Sequence, residues 1–140
     1  EVVPPLVQAY NPDVVVTQLG VDTMSTDPLA SLSLSVDGFG RVVEEIKSWN
    51  FKWVALGGGG YNIMNVARAW TKAWSIMKGV QLPDNLPESF VALHQSELGE
   101  NPTLSDPSHK THPVIAGRAQ ALAKAVVELI KESIFPIIGV

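Results

Sequence analysis

Four consecutive glycines, Gly57 to Gly60, end the mostly apolar segment from Lys52 to Leu56, and Tyr61 follows them immediately. A short apolar run is typical of a buried strand, and glycine adopts backbone conformations that other residues avoid. A helical pattern of apolar residues begins at Ile63. The stretch therefore predicts a strand, a tight turn and a helix in succession.

A second strand with the same plan is predicted earlier in the chain. Val14 to Leu19 is β-branched and mostly apolar, Gly20 closes it, and the polar group of Asp22 follows. Apolar runs of this kind are typical of parallel sheets. Because ligands bind beyond the carboxyl ends of parallel strands, we expect Asp22 and Tyr61 to share one crevice.

Helices are predicted on either side of these strands. Residues 3–10, with prolines where the first turn tolerates a missing N–H, favour a short helix. Between the two strands, apolar residues recur at steps of three and four, which predicts another helix. Ser35 or Asp37 is the candidate N-cap of this helix. This apolar face consists of Phe39, Val42, Val43, Ile46 and Trp49.

Two longer helices are predicted at Ile63 to Lys78 and at Val114 to Phe135, the second stopped by Pro136. We expect the tryptophans of the first in the core. The apolar face predicted for the helix at Ile63 to Lys78 consists of Ile63, Val66, Ala67, Trp70, Ala73, Trp74 and Met77. The apolar face predicted for the helix at Val114 to Phe135 consists of Ile115, Ala119, Leu122, Val126, Leu129 and Ile130.

The order strand, helix, strand, helix predicts an α/β architecture with a parallel sheet. Three segments follow along the chain: 1–79 with the strands and candidate site residues, an irregular wrap over 80–113, and the helix at 114–135. One turn of helix is expected at Glu88 to Leu93. Two strands that are apolar on both faces need further cover, so we expect other strands from the same polypeptide or from a partner chain.

Composition excludes several classes of protein. Of the 140 residues, 46% are hydrophobic and 17% charged, and the net charge is −4 without a basic stripe, which argues against a nucleic-acid partner. No apolar run approaches the roughly 20 residues that span a membrane. There is no cysteine, which excludes thiolate metal sites and fits a cytoplasmic protein. The chain opens at Glu1 without an initiator methionine, so we expect part of a longer polypeptide.

The glycine turn alone leaves several functions open. A phosphate loop would need a following Lys-Ser/Thr, which is absent, and Asn62 stands where a dinucleotide-binding motif has its third glycine. Close approach of a ligand chain to the backbone is another interpretation, and a tight turn with positive φ is the simplest. Asp22 is likewise either a metal ligand or a loop hydrogen-bond acceptor.

The remaining polar candidates give weaker signals. Asp27 before Pro28 is typical of a turn. His109 and His112 form a pair without a third metal ligand nearby, and His94 has no assigned role. Neither a serine nucleophile motif nor a cysteine is present, so covalent acyl transfer has little support.

Several motifs taken together are specific. They are Gln18-Leu19-Gly20-Val21-Asp22-Thr23, Asp27-Pro28-Leu29, Leu56-Gly57-Gly58-Gly59-Gly60-Tyr61-Asn62 and Asn65-Val66-Ala67-Arg68-Ala69-Trp70-Thr71. Over most of residues 10–113 the chain resembles the zinc-dependent histone deacetylase superfamily. The segment Leu82-Pro83-Asp84-Asn85-Leu86-Pro87 is similar to the microbial acetoin-utilisation branch. The resemblance implies part of a three-layer α/β/α parallel-sheet fold of the arginase/deacetylase type.

The resemblance also implies roles for particular residues. Asp22 matches an aspartate that ligates the catalytic metal, Zn²⁺ or another divalent ion such as Fe²⁺. Tyr61 matches the tyrosine whose hydroxyl binds the carbonyl oxygen under attack by metal-activated water. Leu29 and the backbone of Gly58, Gly59 and Gly60 match the lining of a narrow acyl-lysine tunnel.

The superfamily has further metal ligands in an Asp-x-His pair, and a tandem histidine pair for proton transfer, upstream of the stretch seen here. Neither occurs in these 140 residues. We therefore expect the C-terminal portion of one deacetylase domain, inactive alone, whose partner is the missing N-terminal part or another chain. The expected substrate is an acetylated lysine of a protein or a small acylamine. A non-catalytic α/β interaction module or subunit is the alternative, and a nucleotide-binding fold is a third.

Overall fold

A computed structural model describes residues 1–98, 102–106 and 111–140. The chain divides into two compact units, residues 14–107 and residues 1–13 with 108–140. Among the described residues, no helix has the length and apolar character needed to cross a membrane. The elements in chain order are α1 (Val3–Tyr10), β1 (Val14–Gln18), α2 (Val36–Ser48), β2 (Lys52–Leu56), α3 (Ile63–Lys78), α4 (Glu88–Leu93), α5 (Gln95–Leu98), α6 (Pro113–Ser133) and α7 (Phe135–Ile138).

The two predicted strands pair in parallel, with α2 in the connection between them. Their register places Val14 beside Lys52 and Gln18 beside Leu56. The pairing continues past the strand ends, since the Leu19 N–H donates to the carbonyl of Leu56 at 2.8 Å. The predicted α/β class is confirmed, and both strands deliver their following loops to the same edge of the sheet.

The two faces of the sheet have different surroundings. Trp53 and Ala55 of β2 are half-buried and pack on the core of the unit. On the opposite face the apolar side chains Val14, Val16 and Val54 are exposed. This face of the sheet is therefore an apolar surface that no described residue covers fully.

Helix α2 begins as predicted, with the Ser35 hydroxyl accepting a hydrogen bond from the Gly38 N–H at 3.0 Å. Phe39 and Val43 are buried in the core. Val42 was expected on this face, but its side chain is 50% exposed. Trp49 lies at the end of the helix, where its indole N–H donates to the Glu45 carboxylate at 3.0 Å.

Helix α3 has the predicted bounds, but the prediction of its buried face is partly wrong. Ile63 is 76% exposed and Trp74 is 54% exposed. Ala73 is buried as predicted, and Ala69, which was not predicted on this face, is buried as well. Gly40 of α2 lies so close that a Cβ on it would meet the side chains of α3 at 3.4–3.5 Å, and small residues permit this approach.

The segment after α3 is less irregular than predicted. Helix α4 lies where one helical turn was expected, and α5 was not predicted. Asn85 and Thr103 form an antiparallel bridge. The nearly buried Arg68 guanidinium of α3 donates to the Ser105 carbonyl at 2.6 Å and to the Asp106 carboxylate at 2.7 Å, which anchors this segment to the helix.

In the other unit, α6 ends at Ser133, two residues before the predicted end, and Pro136 falls in the first turn of α7. Large apolar side chains of its predicted face, such as Leu122, are exposed. His112 caps the helix, because its Nδ1 accepts from the Val114 N–H at 3.3 Å. The predicted partner of His112, His109, lies outside the described residues.

Candidate functional site

Two loops meet at the carboxyl edge of the sheet, residues 20–30 after β1 and residues 57–62 after β2. The Val21 N–H donates to the Gly59 carbonyl at 2.6 Å and ties them together. The Asp22 carboxylate lies directly against Gly59, since a Cβ on Gly59 would overlap its Oδ2. Glycine at this position therefore makes room for the Asp22 side chain.

Gly60 has a second, independent reason to be glycine. Its φ of +152° is one that side chains rarely permit, and a Cβ there would come within 2.6 Å of Val21 Cγ2. Both the tight turn and a close approach are therefore present in the 57–60 turn. The approaching groups here are the chain's own side chains.

The oxygens of Asp22 accept no hydrogen bond from any residue that the structure describes. A carboxylate that keeps its lone pairs free fits the requirements of a metal ligand. The described ranges contain no cluster of three or more His, Cys, Asp or Glu that could hold a metal ion. By its chemistry, Asp22 can therefore supply one oxygen ligand to a metal.

The buried hydroxyl of Thr23, the next residue, also has no hydrogen-bond partner in the described part of the chain. Buried hydroxyls are normally paired in complete domains. This unpaired group lies in the same loop as the open carboxylate of Asp22.

Asp27, by contrast, has a nearly complete set of hydrogen bonds. Its Oδ1 accepts from the N–H groups of Leu29 at 2.9 Å and Ala30 at 3.2 Å, which confirms the predicted turn. Its Oδ2 accepts from the N–H of Tyr61 at 2.9 Å, and this bond crosses from one loop to the other. The side chain is only 8% exposed. Sequence reasoning found the turn but missed the link to Tyr61.

These bonds decide the ionisation of Asp27. Burial raises its pKa, but the backbone N–H groups of Tyr61, Leu29 and Ala30 lower it by more. The net result is a pKa below the ordinary value, so Asp27 is an ionised acceptor at neutral pH. Among the described residues, backbone N–H groups and not a cationic side chain stabilise this negative charge.

Further hydrogen bonds join the same two loops. Thr26 Oγ1 and the buried Asn65 side chain exchange hydrogen bonds at 3.0 and 3.1 Å. Asn62 donates to the Thr26 carbonyl at 3.3 Å and caps α3 by accepting from the Met64 N–H at 3.0 Å. The start of α3 and the loop after β1 therefore form one hydrogen-bonded assembly.

The Tyr61 side chain is 56% exposed, and its hydroxyl has no hydrogen-bond partner within the described ranges. It borders an open cavity of about 400 Å³. The lining residues are Thr26, Pro28, Tyr61, Asn62, Ile63, Met64, His94 and Glu97. The structure thus brings His94 near Tyr61, which no sequence signal indicated. Asp22 and Leu29 do not line this cavity, and the Leu29 side chain is 72% exposed.

The fold and the two loops define an α/β protein with an open carboxylate and an open phenol at one edge of a parallel sheet. The family model of the histone deacetylase domain matches residues 1–77, more than half of the chain. The chain belongs to the histone deacetylase domain family. The predicted fold class is therefore confirmed at the level of the family as well.

Individual relatives agree with this assignment. The chain is 38% identical over 82 residues to histone deacetylase clr6 of Schizosaccharomyces pombe, covering 59% of this chain and 20% of that protein. It is 40% identical over 80 residues to histone deacetylase 7 of Arabidopsis thaliana, covering 57% and 20%. It is 37% identical over 79 residues to histone deacetylase 8 of Xenopus laevis, covering 56% and 24%. The match thus spans between a fifth and a quarter of the length of these curated relatives.

Proposed function

We propose that this chain is the C-terminal part of a metal-dependent deacetylase that hydrolyses the amide of acetyl-lysine or of a related acylamine. One observation carries the proposal. The unpaired Asp22 carboxylate is held against Gly59, two residues before Tyr61, whose exposed phenol is also unpaired. Family membership then supplies the reaction class.

Each residue has a role that its chemistry suits. Asp22 would hold Zn²⁺, or another divalent ion such as Fe²⁺, through a carboxylate oxygen. The bound ion would supply activation of water and polarisation of the amide carbonyl. Tyr61 donates a hydrogen bond to the carbonyl oxygen as negative charge develops on it. Leu29 and the backbone of Gly58, Gly59 and Gly60 would line the acyl-lysine tunnel.

The remaining ligands and the proton-transferring histidines are proposed to lie in another part of the same domain or in a partner chain. The open apolar sheet face formed by Val14, Val16 and Val54 supports this, because it offers a surface for that part to cover. We infer that the 140-residue chain is inactive alone. Residues 1–79, 80–113 and 114–135 would be consecutive segments of one domain.

We propose the microbial acetoin-utilisation branch as the finer assignment, because the segment from Leu82 to Pro87 resembles that branch. The substrate is proposed to be a protein acetyl-lysine or a small acylamine, and the enzyme is proposed to be cytoplasmic. The net charge of −4 gives no support to a nucleic-acid partner. Assaying an acetyl-lysine peptide beside a small acetylated amine separates the two substrate classes.

The test uses the polypeptide that includes the upstream ligands. Tyr61→Phe should retain the metal and lower kcat by about 10²-fold or more, the usual effect of deleting one such donor. Tyr10→Phe is the matched control, because Tyr10 is an exposed tyrosine outside both loops. Normal turnover by Tyr61→Phe would show that the proposed role of Tyr61 is wrong.

A non-catalytic interaction module is the second candidate, favoured by the exposed apolar face of β1 and β2. In that case the natural chain would form a stable complex through this face without hydrolysing any acylamine. Mass spectrometry of the natural product, followed by assay with Zn²⁺ and with Fe²⁺, separates the two. A mature 140-residue chain that stays inactive in its complex would favour the module.

A further inference from the structure

The Asp27 carboxylate is the point at which both loops of the candidate site converge. One oxygen accepts from Leu29 and Ala30 in the loop after β1, and the other accepts from Tyr61 in the turn after β2. The side chain is buried, so water does not replace a lost partner easily. Asp27 itself does not point at an open ligand position, since its lone pairs are used.

We propose that Asp27 is a positioning residue that fixes the direction of the Tyr61 phenol by holding the Tyr61 backbone N–H. The inference rests on the proposed function of Tyr61 as the hydrogen-bond donor to the reacting carbonyl. The Tyr61 side chain is largely exposed and its hydroxyl is unpaired within the described ranges, so the described contacts orient it chiefly through its backbone. The Asp27 bond is the one described side-chain contact to that backbone N–H.

Only the ionised carboxylate can serve all of these N–H groups. An asparagine in the same place presents an NH₂ group either to the Tyr61 N–H or to the pair at Leu29 and Ala30. One of the two sides then loses its acceptor and faces another donor. The bonds among Thr26, Asn62 and Asn65 remain, so we expect the turn to stay folded with the phenol displaced.

A displaced phenol is expected to affect the reaction rate more than substrate binding. Displacement of a catalytic group by about 1 Å can cost on the order of 10²-fold in rate. In the polypeptide that includes the upstream ligands, we expect Asp27→Asn to lower kcat by roughly 10–100-fold. We expect the metal content to stay the same and KM to change by less than about 3-fold, because a displaced donor weakens the transition state more than substrate binding.

Asp84→Asn is the matched control. Asp84 also accepts a backbone N–H, that of Ser105 at 2.9 Å, and hydrogen bonds to Ser105 likewise lower its pKa. It contacts neither loop of the site in the described residues. Because Asp84 is exposed, we expect Asp84→Asn to lower the melting temperature less than Asp27→Asn does and to leave kcat unchanged.

A double-mutant cycle decides whether Asp27 acts through Tyr61. If it does, adding Asp27→Asn to Tyr61→Phe lowers kcat no further than Tyr61→Phe alone. An equal loss in both backgrounds, or a kcat for Asp27→Asn equal to that of Asp84→Asn, would overturn the proposal. If Asp27→Asn does not fold, Asp27→Glu serves in the same cycle, because it keeps the charge and shifts the oxygens by one methylene. Failure of the proposed function is distinct, since Tyr61→Phe alone would then leave kcat unchanged.

Discussion

The loop after β1 contains two aspartates, Asp22 and Asp27, whose surroundings are opposite. The carboxylate of Asp22 lies against Gly59 and accepts no hydrogen bond from the described residues. The carboxylate of Asp27 is buried and accepts backbone N–H groups on both oxygens. The same functional group thus occurs twice in one short loop, once with free lone pairs and once with its lone pairs occupied.

The difference separates a candidate metal ligand from a structural hydrogen-bond acceptor. A carboxylate whose lone pairs are free can bind a cation, and the protein must then supply only its position. A carboxylate surrounded by N–H groups has little remaining capacity for a cation, but it holds the chain that supplies those groups. On this comparison, Asp22 is the candidate metal ligand, and Asp27 holds the turn that carries Tyr61.

The largest effect is expected from replacing Asp22, the aspartate whose carboxylate accepts no hydrogen bond from the described residues. Asp22→Asn in the polypeptide with the upstream ligands should lose the metal and lower turnover by more than about 10²-fold, since loss of even an outer partner of a ligand costs about 10–100-fold. Metal analysis after dialysis and an acetyl-lysine assay measure both. The exposed Asp13 provides the control Asp13→Asn, which should behave as wild type. Full metal content in Asp22→Asn would contradict the assignment.

A smaller loss of metal affinity is expected when the Asp22 carboxylate is displaced rather than replaced. Gly59→Ala places a Cβ where Asp22 Oδ2 lies, so the carboxylate must shift. We expect metal affinity to fall by roughly 10–100-fold, the range found for perturbed ligand orientation.

Gly117→Ala is the matched glycine control for this variant, since a Cβ there meets nothing within 4 Å. In the interior of α6 that change should stabilise the helix by about 0.5–1 kcal/mol, because alanine has the higher helix propensity. Unchanged metal affinity in Gly59→Ala would show that the glycine does not position Asp22.

The smallest expected effect is the pH dependence of the stability that Asp27 contributes. The N–H groups around Asp27 lower its pKa below 3.8 in the folded state. Its contribution to stability is therefore complete above about pH 3.8 and is lost as the pH falls through the lowered pKa. Asp27→Asn should be less stable than wild type at neutral pH, and the difference should shrink below pH 3.8. Urea midpoints at neutral and acid pH measure this, and a difference independent of pH would be evidence against an ionised Asp27.

Much of the framework around these aspartates could be predicted from the sequence. The strands, the bounds of α3 and the Ser35 cap depend on local signals, namely apolar runs, helical spacing and residues that favour caps. The turn of Asp27 onto Leu29 and Ala30 is local in the same sense. Asp22 and Tyr61 were placed at one edge of the sheet by the rule for parallel strands.

What could not be predicted depends on contacts between distant segments. The bond from Tyr61 to Asp27 involves a backbone N–H, which every non-proline residue has and which therefore leaves no mark in the sequence. The buried face of α3 was predicted only in part. Ala73 is buried as predicted, but close packing on α2 also buries the small Ala69, which the prediction passed over in favour of larger side chains. The exposure of Trp74 follows from that choice of face.

The central claim is that Asp22 and Tyr61 belong to one site, and a distance measurement tests it directly. A fluorotyrosine is placed at position 61 of the polypeptide with the upstream ligands, and Mn²⁺ replaces the native metal. The account predicts that the ¹⁹F resonance of Tyr61 broadens with Mn²⁺, stays sharp with Zn²⁺, and stays sharp in Asp22→Asn. A resonance that stays sharp with Mn²⁺ bound, or that broadens equally in Asp22→Asn, would contradict it.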